Sequence, residues 1–172
     1  MVLLGLAVGT GPVAVDVWFQ RLGADLGPYR RVLLVFSQPL IVAAALGVGV
    51  LVALRQRRTG LAWAMVISPV VAVGVVRLVL KPLFGREKGG ALAYPSGHTT
   101  FLVVVLGLLV LVVGVRLWTV AAATCIGLLG MFGVSTTFHY FTDTVGAALW
   151  AVSVVGVVAL SHAGHPGPTG RT

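Results

Sequence analysis

Charge is scarce in this chain. Of 172 residues only 9% are Asp, Glu, Lys or Arg, against about 25% in a soluble domain. The carboxylates are Asp16, Asp25, Glu87 and Asp143. So little charge excludes an ordinary water-soluble domain, and the 58% hydrophobic content suits lipid. Cysteine is scarcer still. Cys125 is alone, which excludes an internal disulfide, and within its apolar run the thiol reads as a small buried hydrophobe. Also lacking is any basic stripe with interleaved aromatics. The net charge of +8 is scattered between apolar runs, so nucleic acid is not an expected partner. Short basic clusters beside apolar runs fit anionic headgroups and control of topology. The first run, Met1 to Phe19, lacks the positively charged start and small-residue cleavage site of a signal peptide.

What the chain has is apolar runs near the length of about 20 residues that a spanning helix needs. The expected fold is all-α, a six-helix membrane bundle forming one domain over residues 1–160. The spans read as Met1–Phe19, Val32–Leu54, Leu61–Leu80, His98–Val115, Leu117–Val134 and Thr144–Leu160. Gly9 to Pro12 kinks the first, and Pro39 is tolerable inside the second. Asp16 is either interfacial or a partner for an arginine, with the interfacial reading preferred. The Gly/Pro/His tail at 161–172 is expected to be disordered. Arg55-Gln56-Arg57-Arg58 is the densest basic cluster and marks the cytoplasmic side. Six spans then put both termini and Arg116 inside. The loops at 20–31, 81–97 and 135–140 fall outside, although Arg21, Arg30 and Arg31 argue the other way. Whichever side is which, the stretches at 81–98 and 135–143 are separated by two spans and emerge together.

Those two stretches hold the chemistry. In Tyr94-Pro95-Ser96-Gly97-His98-Thr99-Thr100, Pro95 suits a helix edge and Ser96 an N-cap. Gly97 lets a ligand approach the backbone, and His98 lies beside free N–H groups at the positive end of a helix, an anion-binding arrangement. A capped helix start with an incidental histidine is the plainer alternative. His139 and Asp143 are four apart, one turn on one helix face. The carboxylate would fix the imidazole tautomer, leaving a nitrogen able to attack phosphorus. A structural pair capping the last span competes with this. Arg77, Lys81, Arg86 and Lys88 are suited to neutralising phosphate oxygens. Alone they better fit snorkelling side chains at an interface, and only beside His98 and His139 does the phosphate reading prevail.

Taken together, these stretches resemble the type 2 phosphatidic acid phosphatase superfamily, the lipid phosphate phosphatases. That pattern is K-x6-R-P, then P-S-G-H, then S-R-x5-H-x3-D. The second motif is intact here as Pro95, Ser96, Gly97 and His98, and His139 and Asp143 match the third. Lys81 matches the first, but its R-P position reads Lys88-Gly89, with Arg86 two residues earlier. The S-R pair falls on Phe132 and Gly133, so that arginine is missing. The resemblance implies six spanning helices and a metal-free, cofactor-free phosphatase working through a phosphohistidine. It implies His139 as nucleophile, Asp143 as its orienter and His98 as general acid. Lys81, Arg86 or Lys88, Ser96 and the Gly97 backbone would hold the phosphate, with Arg77 or Lys88 replacing the missing charge. The implied partners are the bilayer and a lipid phosphate: polyprenyl diphosphate first, then phosphatidic acid or phosphatidylglycerol phosphate. The expected location is a bacterial cytoplasmic membrane with the site on its outer face. Two other readings stand beside this: a catalytically impaired lipid-phosphate-binding scaffold of the same fold, and a small membrane transporter.

Overall fold

A computed structural model describes residues 1–163; of the expected tail, 164–172 lie outside the described residues and 161–163 continue the last helix. The described chain is mostly helical. Helices α1 (Val2–Val8) and α2 (Ala14–Asp25) come first, then a 3-10 segment (Gly27–Ser37) leading into α3 (Pro39–Arg55). Next, α4 (Thr59–Val75) runs through a π-helical turn (Val76–Leu80) into α5 (Lys81–Phe84). A two-stranded hairpin, β1 (Glu87–Lys88) and β2 (Ala91–Leu92), precedes α6 (Gly97–Val113), α7 (Leu117–Ser135) and α8 (Phe141–Ala163).

Among the described residues, four helices are long and apolar enough to cross a membrane: Gly27–Arg55, Thr59–Phe84, Leu117–Ser135 and Phe141–His162. The outer surface suits that environment, with Leu3, Leu40, Leu78 and Leu117 largely exposed. Cys125 is exposed as well, not buried as expected. The fifth apolar helix, α6, is shorter at 17 residues and is the centre of the bundle. It packs against α3, α4, α7 and α8. Val104 and Leu108 are fully buried in the core shared with Leu61, Met65 and Ala72 of α4 and Ala151 of α8. Close approach is bought with small residues, as is usual where lipid removes the hydrophobic drive between helices. A Cβ on Gly107 would come within 2.7 Å of Val155.

The expected first span is not one helix. The run Gly9-Thr10-Gly11-Pro12 breaks it, with Gly9 at φ 60. The pieces of 7 and 12 residues reach about 10 and 18 Å, short of the roughly 30 Å of a hydrocarbon core. Both pieces fold over the end of the bundle that carries the 85–98 loop. The Tyr94 hydroxyl donates to the Met1 carbonyl at 2.8 Å, and Gly5 lies against Phe84 and Tyr94. His162 lies beside Gly60, at the opposite end. Met1 and the end of α8 therefore lie at opposite ends of the bundle, where six full spans would bring them to the same end. Arg55, Arg57, Arg58 and Arg116 gather at that far end, where Arg58 caps the Leu111 carbonyl of α6 at 2.9 Å.

Two proline effects shape the remaining helices. Pro39 stands at the first turn of α3, where its missing N–H costs nothing, and not inside a span. Pro82 cannot donate to the carbonyl one turn before it. There the helix loosens to π, and the Lys81 N–H reaches five residues back to the Val76 carbonyl. Single π turns of this kind are frequent at functional sites.

Candidate active site

The Ser96 hydroxyl accepts from the Thr99 N–H at 3.4 Å, and its carbonyl from the Thr100 hydroxyl at 2.9 Å, so α6 starts with the cap its sequence predicts. The Ser96 N–H donates to the Asp143 carbonyl at 3.1 Å, tying the start of α6 to the start of α8. Ser96 is itself buried. Gly97 is open: a Cβ built there meets no atom within 4 Å. His98 then projects from the first turn of the central helix.

His98 opens into a cavity of about 530 Å³. Its polar lining is Ser37, Arg77, Lys81, Gly97, His98 and His139, and its apolar wall comes from Pro69, Val73 and Phe101. The His98 and His139 rings are 6.3 Å apart between centroids, at 60°. His98 also stacks on Phe138, at 6.1 Å and 20°. Arg77 stands in the π turn and Lys81 directly after it, and both line the cavity. Lys81 additionally donates to the Leu92 carbonyl. Five of the sequence-predicted residues, Arg77, Lys81, Gly97, His98 and His139, thus meet at one cavity. Arg86, Lys88, Ser96 and Asp143 do not line it.

The departure is sharpest at Arg86. Its side chain is fully buried. Nη1 donates to Thr142 Oγ1 at 2.6 Å and Asp143 Oδ1 at 3.0 Å, and Nη2 to the Gly11 carbonyl at 2.8 Å and Asp16 Oδ2 at 2.6 Å. Both terminal nitrogens are spent on protein acceptors, so the expectation that Arg86 holds phosphate does not fit this packing. The physical reason is the hairpin. Gly89 and Gly90, at φ 60 and 79, make the left-handed turn that pairs Glu87 with Leu92. This folds Arg86 inward and sets it and Lys88 over the Tyr140 ring, at 4.6 and 4.9 Å.

Asp16 corrects a second expectation. It is not interfacial but fully buried. Its carboxylate accepts from Arg86 and from the Val13 N–H at 3.1 Å. It also accepts from the Thr142 N–H at 2.9 Å and the Thr142 hydroxyl at 3.0 Å. The available signal was its place as the one acid in a long apolar run, where an ionisable group is functional by default. Spacing along the chain gives no hint of its partner 70 residues away.

His139 and Asp143 are not on one helix face, because α8 begins at Phe141. Asp143 sits in its first turn and accepts from the Tyr140 N–H at 2.9 Å through Oδ2. The same oxygen is 3.6 Å from His139 Nδ1, an ion-pair distance for a protonated imidazole, and Nδ1 makes no hydrogen bond. Lys88 holds the same loop, donating to the His139 carbonyl at 2.7 Å. Burial lowers its ammonium pKa below the ordinary 10.5, against the opposing pull of Asp143 and Asp16. Burial and the Asp143 charge push the Tyr94 phenol up to about 12, so it stays a donor.

The position expected to carry the missing arginine is closed. A Cβ on Gly133 would stand 2.8 Å from the backbone of Leu33, because the 3-10 segment lies directly on α7. That segment also brings Ser37 to the cavity. An adjoining cavity shares Ser37, Pro39 and His98 and is lined by Arg31 and Phe138. Among the described residues no three His, Cys, Asp or Glu side chains converge on a metal-sized point. Comparison with family models, curated proteins and solved structures gives no match.

Proposed function

We propose that this protein is an integral membrane phosphatase acting on a lipid phosphate or diphosphate through a phosphohistidine. The observation that carries the reading is the pair of imidazoles, 6.3 Å apart across a cavity that also holds Arg77, Lys81 and the open Gly97 backbone. A phosphate held in that cavity lies beside both rings, and attack needs the reacting nitrogen roughly 3–3.5 Å from phosphorus.

The steps follow from that placement. Arg77, Lys81 and the N–H groups at the start of α6 take the phosphate oxygens. His139 Nε2 attacks phosphorus, and an N–P bond forms as the P–O bond to the lipid breaks. His98 gives its proton to the leaving lipid oxygen. A water then gives a proton to His98 and attacks phosphorus. The N–P bond breaks, releasing phosphate and returning His139 to its starting state. Asp143, beside Nδ1, favours the positive charge that His139 carries in between.

The apolar wall of Pro69, Val73 and Phe101 suits a substrate whose tail stays in lipid. The basic cluster at the end of the bundle opposite the cavity supports a site on the outer face. An outward site in a compact bundle favours polyprenyl diphosphate as substrate, in a bacterial cytoplasmic membrane. The test is phosphate release by purified protein from polyprenyl diphosphate, phosphatidic acid and phosphatidylglycerol phosphate, with and without chelator. Release that survives chelator and disappears in His139→Ala is the expected result. Activity abolished by chelator, or retained in His139→Ala, overturns the mechanism.

A further inference from the structure

We infer that Asp16, on the short helix α2, is a positioning residue for the His139–Asp143 pair, acting through Arg86. The inference rests on the phosphatase reading above and goes beyond it. It makes the amino-terminal helices part of the catalytic apparatus rather than a further span.

Three observations carry it. Each terminal nitrogen of Arg86 takes one carboxylate, Nη2 with Asp16 at 2.6 Å and Nη1 with Asp143 at 3.0 Å. The shorter contact belongs to Asp16. All three side chains are fully buried, so water does not screen them. A lone Arg86 would neutralise Asp143. With Asp16 holding the other half of the guanidinium, Asp143 keeps negative charge for the imidazole 3.6 Å away. Asp16 also fixes the start of α8 directly, accepting from both the N–H and the hydroxyl of Thr142, the residue before Asp143. The Thr142 hydroxyl closes the ring by accepting from Arg86 at 2.6 Å. None of Asp16, Arg86 and Thr142 lines the cavity, so their removal leaves the phosphate-facing groups in place.

A purely structural contact and a positioning contact differ in kinetics. In full-length Asp16→Asn, kcat per folded molecule should fall about ten- to a hundredfold, as it does for outer partners that orient metal-bound imidazoles. KM should stay within about twofold, because substrate binding is untouched. Asp16→Glu restores the charge and should recover part of kcat. The measurement is steady-state phosphate release from polyprenyl diphosphate, with folded protein quantified by tryptophan fluorescence and size exclusion. Should Asp16→Asn fail to fold, Thr142→Val takes its place. It keeps the backbone bond to Asp16 but removes the bridging hydroxyl, and the same split of kcat from KM is expected. Full kcat in the folded variant overturns the inference, as does a rise in KM at unchanged kcat. Wild-type protein that releases no phosphate from any of the three lipids overturns the phosphatase reading and this inference with it.

Discussion

Arg86→Met separates the two roles open to this arginine. The substitution keeps most of the apolar stem and removes the charge. Four acceptors lose a donor at once: Thr142 Oγ1, Asp143 Oδ1, the Gly11 carbonyl and Asp16 Oδ2. Removing one member of a buried ion pair costs about 3–5 kcal/mol. Here one cation serves two carboxylates that are both fully buried, so the loss belongs at the upper end of that range. For a chain of this size 1 kcal/mol is about 2–4 °C of Tm, and the expected drop is about 10–20 °C. Thermal unfolding in detergent, followed by intrinsic tryptophan fluorescence, measures it. Arg21→Met, at an exposed position, is the control and should change stability by less than about 0.5 kcal/mol. A phosphate-binding arginine behaves in the opposite way, since its loss raises KM and leaves stability alone. A variant that unfolds within about 2 °C of wild type while KM rises tenfold would refute the buried-network account.

Other outcomes follow from the same geometry. Arg77→Ala should lower kcat/KM by about tenfold to a few hundredfold, the effect of a single phosphate-facing cation at a partly open site, and the loss should shrink as salt is raised. Unchanged kcat/KM would show that Arg77 does not supply the missing charge. Gly133→Arg, which writes the resembled motif back into the chain, should destabilise the fold and not raise activity, because its Cβ meets the Leu33 backbone at 2.8 Å; expression and Tm report this. Lys88 has a pKa lowered by burial, so folding disfavours its charged form. Stability should therefore rise as the pH climbs from the folded pKa toward 10.5, and Lys88→Gln should lack that increment in pH-dependent unfolding.

Much of the helical layout was legible as hydrophobic length. The runs ending near Leu54, Leu80, Val134 and Leu160 are helices, because about 20 apolar residues between polar punctuation have few other solutions in lipid. The Ser96 cap was legible for the same local reason. The first span was misread because composition records apolar content, whereas Gly9 to Pro12 interrupts the hydrogen-bond ladder that a crossing requires. Cys125 was misread because in lipid the outer surface is as apolar as the core, so hydrophobicity no longer predicts burial.

The site divides along the same line. Sequence alone determined that His98 and His139 would share one end of the bundle, because two intervening spans return the chain to its starting side. It also nominated Arg77 and Lys81, one turn apart. Only the tertiary structure decided which cations face the cavity. Arg86 and Lys88 have the same chemistry as Arg77 and Lys81, and nothing local distinguishes them. The two-glycine hairpin turns Arg86 inward onto Asp16 and Asp143, while Arg77, in the π turn before Pro82, lines the cavity. A buried arginine needs carboxylates, and those come from residues 16 and 143. Pairings that distant depend on how the elements pack, which the local pattern along the chain does not encode.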